Sequence, residues 1–239
     1  MYDWLNKHIN PVIPLFSILP LLSCFALNMI VYSGTMILCA GFPHYDLTTT
    51  FDEMVPLVPE WMIIYFGCYV FWIANYILVA RIYRDDKKRF YRFVMTDMMS
   101  RLVCAVFFIG LPTTNIRPVI AGDGWSETLL RFLYGIDQPT NLFPSIHCLV
   151  SWLCFAGIRD SKRVSTGYKI FSCIFALLVV ASTQYTKQHY IVDAVAGLGL
   201  AELLLYLNQK TNLYIPVQRF FTWINQKLYH RLKGEACEQ

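Results

Sequence analysis

Charged residues are scarce in this chain, making up 15% of its 239 positions against about a quarter in an ordinary soluble domain. With 56% of the residues apolar, that scarcity excludes a large soluble domain and a disordered chain alike. Paired cysteine spacing is also missing. Seven of the eight cysteines (Cys24, Cys39, Cys68, Cys104, Cys148, Cys154 and Cys173) lie in or beside apolar stretches. None shows a zinc or disulfide-framework spacing, so they read as small buried hydrophobes. There is no glycine-rich nucleotide loop and no basic nucleic-acid patch, which removes nucleotide and nucleic-acid partners. The N-terminal region carries Lys7 before a long apolar run without a small-residue cleavage site, which reads as a retained segment rather than a signal peptide.

What is present is a series of apolar runs. Ile9 to Pro43 holds no acidic or basic residue, and a helix from about Leu15 to Ala40 can cross a bilayer with tilt. Trp61 to Ala80 is a second uncharged run. A third runs from about Val94 to Leu111, where Asp97 and Arg101 stand four apart and can pair on one helical face. Asp137 to Arg159 brackets a fourth, entered through Phe143-Pro144-Ser145, and Lys169 to Lys187 brackets a fifth. The sixth runs from about His189 to Leu207 and contains Glu202, expected to face other helices, either as a proton relay or as a satisfied interhelical hydrogen bond. The predicted fold is an all-α, polytopic membrane helix bundle with six transmembrane helices plus short interfacial helices. It forms one domain over residues 1–239, with the bundle at about 11–208 and an amphipathic tail at about 209–239.

Basic residues orient this bundle. Seventeen of twenty fall at the N-terminus (Lys7), in the segment Arg81 to Arg101, in Arg159 to Lys169, and after the sixth span. The positive-inside rule makes those segments and both termini cytoplasmic. In the tail, Val217, Phe220, Phe221, Ile224 and Leu228 share a helical face with Arg219, Lys227 and Arg231 elsewhere, as suits a helix on an anionic leaflet or a solvated terminal helix. On the other side, Ser126 to Gly135 reads as a short amphipathic helix between spans three and four, with Arg131 and Glu127 spaced to pair. Only Arg117, Arg131 and Lys187 remain on that extracytoplasmic side, and two of them adjoin chemically suggestive motifs.

The outer ends of four spans deliver Arg117, Ser145, His147, Lys187, His189 and Asp193 to one membrane face. His189 and Asp193, at i and i+4, share a helical face, so the carboxylate can fix the imidazole tautomer and leave the other nitrogen as nucleophile or base. Ser145 suits a helix start, where its hydroxyl and neighbouring N–H groups can cradle an anion, with His147 in the first turn. Arg117 offers a planar fork for phosphate oxygens, and Lys187 either joins it or snorkels to the interface. A lone His-x-x-x-Asp pair is as compatible with a structural hydrogen bond or a metal half-site. Its force here comes from Ser145 and His147 at the matching depth. Together the residues form a phosphoryl-transfer set with no need of metal or other cofactor, in which one imidazole attacks phosphorus and the other protonates the departing oxygen.

At these positions the chain resembles the type 2 phosphatidic acid phosphatase superfamily of membrane lipid phosphatases and phosphotransferases. The resemblance lies in Arg117-Pro118, Pro144-Ser145-Ile146-His147, and His189-Tyr190-Ile191-Val192-Asp193 preceded by Ser182. It implies that His189 is transiently phosphorylated, Asp193 orients it, His147 is the general acid, and Arg117 and Ser145 hold the phosphate. The chain departs from the family where a lysine and an arginine are usual, at Gly110 and Thr183, and where a glycine is usual, at Ile146. Lys187 is placed to replace one missing cation. The pattern is similar to the inositol phosphorylceramide and sphingomyelin synthase branch, whose members pass a phosphorylated head group between lipids. The expected activity is hydrolysis of a phospholipid or isoprenoid-type phosphate at an extracytoplasmic site. The alternatives are a lipid head-group phosphotransferase and a non-catalytic anion- or lipid-binding membrane protein. The expected partners are a lipid phosphate and the bilayer.

Overall fold

The computed structural model describes residues 2–234, with side chains over 3–229; the side chain of Arg231 therefore lies outside the described residues. Ten helices follow in order: α1 (Tyr2–His8), α2 (Leu15–Leu38), α3 (Thr50–Met54), α4 (Met62–Ile82), α5 (Lys87–Gly110), α6 (Trp125–Ile136), α7 (Ile146–Arg159), α8 (Thr166–Tyr185), α9 (Ile191–Lys210) and α10 (Tyr214–Gly234). A 3₁₀ turn, Pro59–Trp61, leads into α4. Five of these helices, α2, α4 with its leading turn, α5, α8 and α9, are long and apolar enough to cross a bilayer. The chain is an all-α integral membrane protein.

Six full-length spans are not what forms. α7, expected to start at Ser145 within the Asp137 to Arg159 bracket, begins at Ile146 with Ser145 as its N-cap and has 14 residues, about 21 Å of helix against about 30 Å of hydrocarbon. The approach over residues 137–145 is irregular because its polar groups are taken elsewhere. Asn141 turns with φ 57° and donates its amide to the Tyr32 carbonyl (2.9 Å) and the Thr35 hydroxyl (3.0 Å). Thr113 Oγ1 accepts from the N–H groups of Leu142 (3.0 Å) and Phe143 (3.1 Å). α7 itself packs against α4, α5, α8 and α9 and buries Leu149, Leu153, Cys154 and Ile158 completely.

α5 starts at Lys87, a turn and a half or more before the expected Val94, since Lys and Arg are good helix formers and the Asp86 side chain caps it by accepting from Arg89 N (3.1 Å). Within it, Arg101 donates to Asp97 at 2.8 Å with both side chains at most 3% exposed, and Tyr76 of α4 donates to the same carboxylate at 2.5 Å. Removing one member of such a pair strands the other charge. Asp97→Leu is expected to cost about 3–5 kcal/mol of stability, with Asp97→Leu/Arg101→Met recovering most of it in denaturant unfolding in detergent. Glu202 of α9 takes both Arg159 and the Trp152 indole N–H (2.7 Å) of α7, bolting the two helices together as an interhelical hydrogen bond.

α10 packs on α2 and α5, with Asn225 Nδ2 donating to the Phe16 carbonyl (2.9 Å) and Tyr229 OH to the Leu15 carbonyl (2.7 Å). The expected apolar face splits: Phe221 is buried against the bundle while Phe220 and Leu228 are exposed. α6 matches the short helix expected over Ser126–Gly135. Its Leu130 and Leu133 pack on Met62 and Tyr65 of α4, while Arg131 pairs with Asp123 (3.2 Å) rather than Glu127. Three loops meet at the end where α7 and α9 begin. Tyr45–Asp46 and Thr113–Thr114 form a two-residue parallel pairing, and Thr140 bridges to Thr114.

Candidate active site

α8 ends in a turn that sets the position of His189. Gln188 N donates to the Thr183 carbonyl (2.9 Å) and Lys187 N to the Gln184 carbonyl (3.1 Å), the paired bonds of a Schellman ending. Its left-handed residue is normally glycine, but here it is Lys187 with φ 53°. A lysine at a left-handed position costs on the order of 1 kcal/mol, and its side chain accounts for its presence. The ammonium donates to the carbonyls of Asp52 (2.7 Å) and Val55 at the end of α3. Burial lowers its pKa, opposed by the nearby Asp52 carboxylate.

Asp52, 2% exposed, works from the other side. One carboxylate oxygen accepts from Ile191 N (2.8 Å), the first residue of α9, and the other caps α3 through Thr49. Asn115 Nδ2 donates to the Lys187 carbonyl (2.9 Å) and Tyr134 OH to the Thr186 carbonyl (2.8 Å). The turn from Thr186 to Ile191 is thus held by α3, by the segment after α5 and by α6. Lys187→Met is expected to lower turnover about 10- to 100-fold through misplacement of the following residues, with Lys187→Arg recovering most of it in a steady-state assay.

His189 precedes α9 rather than lying within it, with Tyr190 extended at the helix N-cap. Even so, its Nδ1 stands 3.5 Å from Asp193 Oδ2 and 3.1 Å from the Leu142 carbonyl. A carbonyl can only accept, so Nδ1 carries the proton and Nε2 of the neutral ring holds a lone pair. That Nε2 lies 3.4 Å from Nδ1 of His147, with ring centroids 5.6 Å apart. Asp193, 1% exposed, also caps α9 by accepting from Tyr190 N (2.9 Å). Ser145 is the N-cap of α7, its hydroxyl accepting from Cys148 N (3.3 Å), and its own N–H donates to the Asp193 carbonyl (3.0 Å).

The starts of α7 and α9 can approach this closely because of Gly197, one turn below Asp193. A Cβ there would lie 2.6 Å from the Ser145 carbonyl oxygen and 3.3 Å from Leu149 N. α4 supplies the wall behind His147: the centroid of Tyr65 is 4.8 Å away, that of Trp72 5.5 Å, and the Tyr69 hydroxyl 3.3 Å from Nε2. Trp72 is held by its indole N–H to Ser151 Oγ (2.8 Å).

The structure therefore brings His147, His189, Asp193 and Ser145 together. Arg117 adjoins them through Gln188, whose Oε1 accepts from its Nη2 at 2.9 Å. Its guanidinium also donates to the Asp137 carbonyl, stands 3.7 Å from the Asp137 carboxylate, and covers the Tyr134 ring at 4.6 Å. Arg117 Nε is buried and, among the described residues, without a partner. Lys187 is directed away onto α3. At the two positions where cations were missing, Thr183 is fully buried beside Cys148 Sγ (3.7 Å) and Gly110 faces open space. Sequence reasoning missed Asp52, Tyr65, Tyr69, Asp137, Gln188 and Gly197. Gly197 alone carried a signal, its i+4 spacing from Asp193. Among the described residues no three His, Cys, Asp or Glu side chains are grouped to hold a metal.

No curated protein and no solved structure matches the chain. The profile of the PAP2 superfamily, by contrast, matches residues 55–207, which spans α4 to α9 and includes both histidines. Covering well over half the sequence, that match establishes that the chain belongs to the PAP2 superfamily of phosphatases and phosphotransferases.

Proposed function

We propose that the chain is a lipid phosphate phosphatase working through a phosphohistidine on His189. The observation that carries this reading is the opposition of His189 Nε2 to His147 at 3.4 Å while His189 Nδ1 is engaged by Leu142 and approached by Asp193. In the first step Nε2 attacks phosphorus, the bond from phosphorus to the lipid oxygen breaks, and His147 gives its proton to that oxygen. Asp193 offsets the positive charge gained by the His189 ring. In the second step water gives a proton to His147 and attacks phosphorus, the N–P bond breaks, and phosphate leaves. Arg117 and the N–H groups around Ser145 bind the phosphoryl oxygens. Lys187 serves instead to hold the turn before His189.

In this reading the whole chain is one membrane domain with six crossings. α7 is the short one, the basic segments and termini are cytoplasmic, and the histidines lie toward the extracytoplasmic side. The second reading, transfer of a phosphorylated head group to a lipid hydroxyl, is favoured by the enclosure of His147 by Tyr65, Tyr69 and Trp72, which limits water at the acceptor position.

The test is a panel of phosphatidic acid, isoprenoid diphosphate, phosphatidylglycerophosphate, and ceramide with a phospholipid donor, against the His189→Ala protein. Phosphate release in water supports the phosphatase. A new phospholipid formed only with an alcohol lipid supports the transferase, and substrate binding without turnover supports neither. For either enzyme kcat/KM should be bell-shaped in pH. One imidazole must be unprotonated to attack phosphorus while the other must carry the proton given to the departing oxygen, so the two limbs reflect opposite requirements. His147→Asn should remove one of the two limbs.

A further inference from the structure

The bundle end opposite the histidines contains a cavity of about 420 Å³ between the first turns of α5 and the last turns of α7 and α9. Arg89, Arg92 and Lys210 line it, with Asp160 the carboxylate in its wall. Two of these charges are already offset: Arg89 by Asp86 (3.4 Å) and Asp160 by Arg159 (3.9 Å). Among the described residues, Arg92 and Lys210 have no carboxylate at ion-pair distance. Arg92 lies over the Tyr214 ring (5.3 Å) and Lys210 over the Tyr206 ring (5.7 Å).

Two buried atoms of the lining also lack partners among the described residues: Arg92 Nε, a donor, and Oδ1 of Asn208, an acceptor on a side chain 1% exposed. Leaving such groups unpaired costs stability. A ligand satisfying both carries an acceptor for Arg92 Nε, best an anionic oxygen beside the Arg92 and Lys210 charges, and a donor for Asn208 Oδ1 such as a hydroxyl. The carbonyl ends of α7 and α9 at this rim disfavour a bare anion and favour hydroxyl groups that donate to them.

We propose that this cavity binds the phosphate ester of a polyol, carried on the head group of an anionic glycerophospholipid or free in solution. The proposal is independent of the histidine chemistry. The test uses the full chain in phosphatidylcholine nanodiscs, with phosphatidylglycerol added in one arm and soluble glycerol 3-phosphate in the other. Lipid retention is read by native mass spectrometry and soluble ligand by calorimetry. A preference for phosphatidylglycerol over phosphatidylcholine of about tenfold or more identifies the lipid source, and saturable binding of glycerol 3-phosphate identifies the free one. Whichever is found should be lost in Arg92→Gln/Lys210→Gln. It should fall several-fold in Lys210→Gln alone, an exposed helix-end change whose fold is checked by an unaltered melting temperature. The proposal is overturned if neither probe binds, if the double variant binds as the parent does, or if Arg219→Gln/Lys227→Gln on α10 removes the preference instead.

Discussion

Replacing His189 with alanine is expected to lower phosphoryl transfer by roughly 10⁴-fold or more, with the fold intact by melting temperature. The ring has a 3.1 Å hydrogen bond to the Leu142 carbonyl, its approach to Asp193 and a 3.4 Å contact with His147, so its removal leaves a small space while Asp193 keeps the Tyr190 N–H. His147→Ala gives the complementary result. With an aryl phosphate, whose departing oxygen needs no proton, the first step continues while the second slows for want of a base. An acid-labile phosphoprotein then accumulates, visible by phosphate labelling. If His189→Ala retains turnover, or if His147→Ala traps no phosphoprotein, the phosphohistidine route is wrong. A protein that merely holds an anion would keep its affinity in both variants.

The second large effect is expected at Gly197. A methyl group there meets backbone, the Ser145 carbonyl at 2.6 Å, and backbone cannot rotate aside as a side chain can. Gly197→Ala must therefore separate the starts of α7 and α9. That stretches the bond from Ser145 N to the Asp193 carbonyl and draws the imidazoles apart. Displacement by about 1 Å is enough for a loss on the order of 100-fold, so kcat should fall that far while the chain still folds. Gly199→Ala, where a Cβ meets nothing within 4 Å, is the matched control and should leave activity unchanged. Equal losses at both positions would point to a general helix effect rather than to the crossing.

These two predictions also mark where sequence is informative. The apolar runs were readable because hydrocarbon demands length and apolarity from each crossing, and α2, α4, α8 and α9 lie where those runs do. Asp97 and Arg101 pair as their spacing implies, and Glu202 finds its interhelical partners. α7 begins directly after Ser145, where the residue order puts a helix start, whereas hydropathy gives no sign that Asn141 and Thr113 take up the backbone and neighbouring groups before it. The histidines, Asp193 and Ser145 lie together as motif and depth lead one to expect, although His189 meets Asp193 from outside the helix. Lys187 was placed by proximity in sequence, whereas a left-handed turn sends its side chain to α3. Asp52 gave no local sign, since its partner Ile191 is 139 residues away.

The shortness of α7 has a consequence for biogenesis. A 14-residue helix with a polar cap at one end is a poor candidate for release from the translocation machinery into lipid by itself. The six residues between α7 and α8 are too few to let the two part widely, and α8 is long enough to anchor in the bilayer. The nascent chain is therefore expected to retain α7 until α8 emerges and to insert the two as a hairpin, so the histidine on α7 reaches its place only after its neighbours have been synthesised.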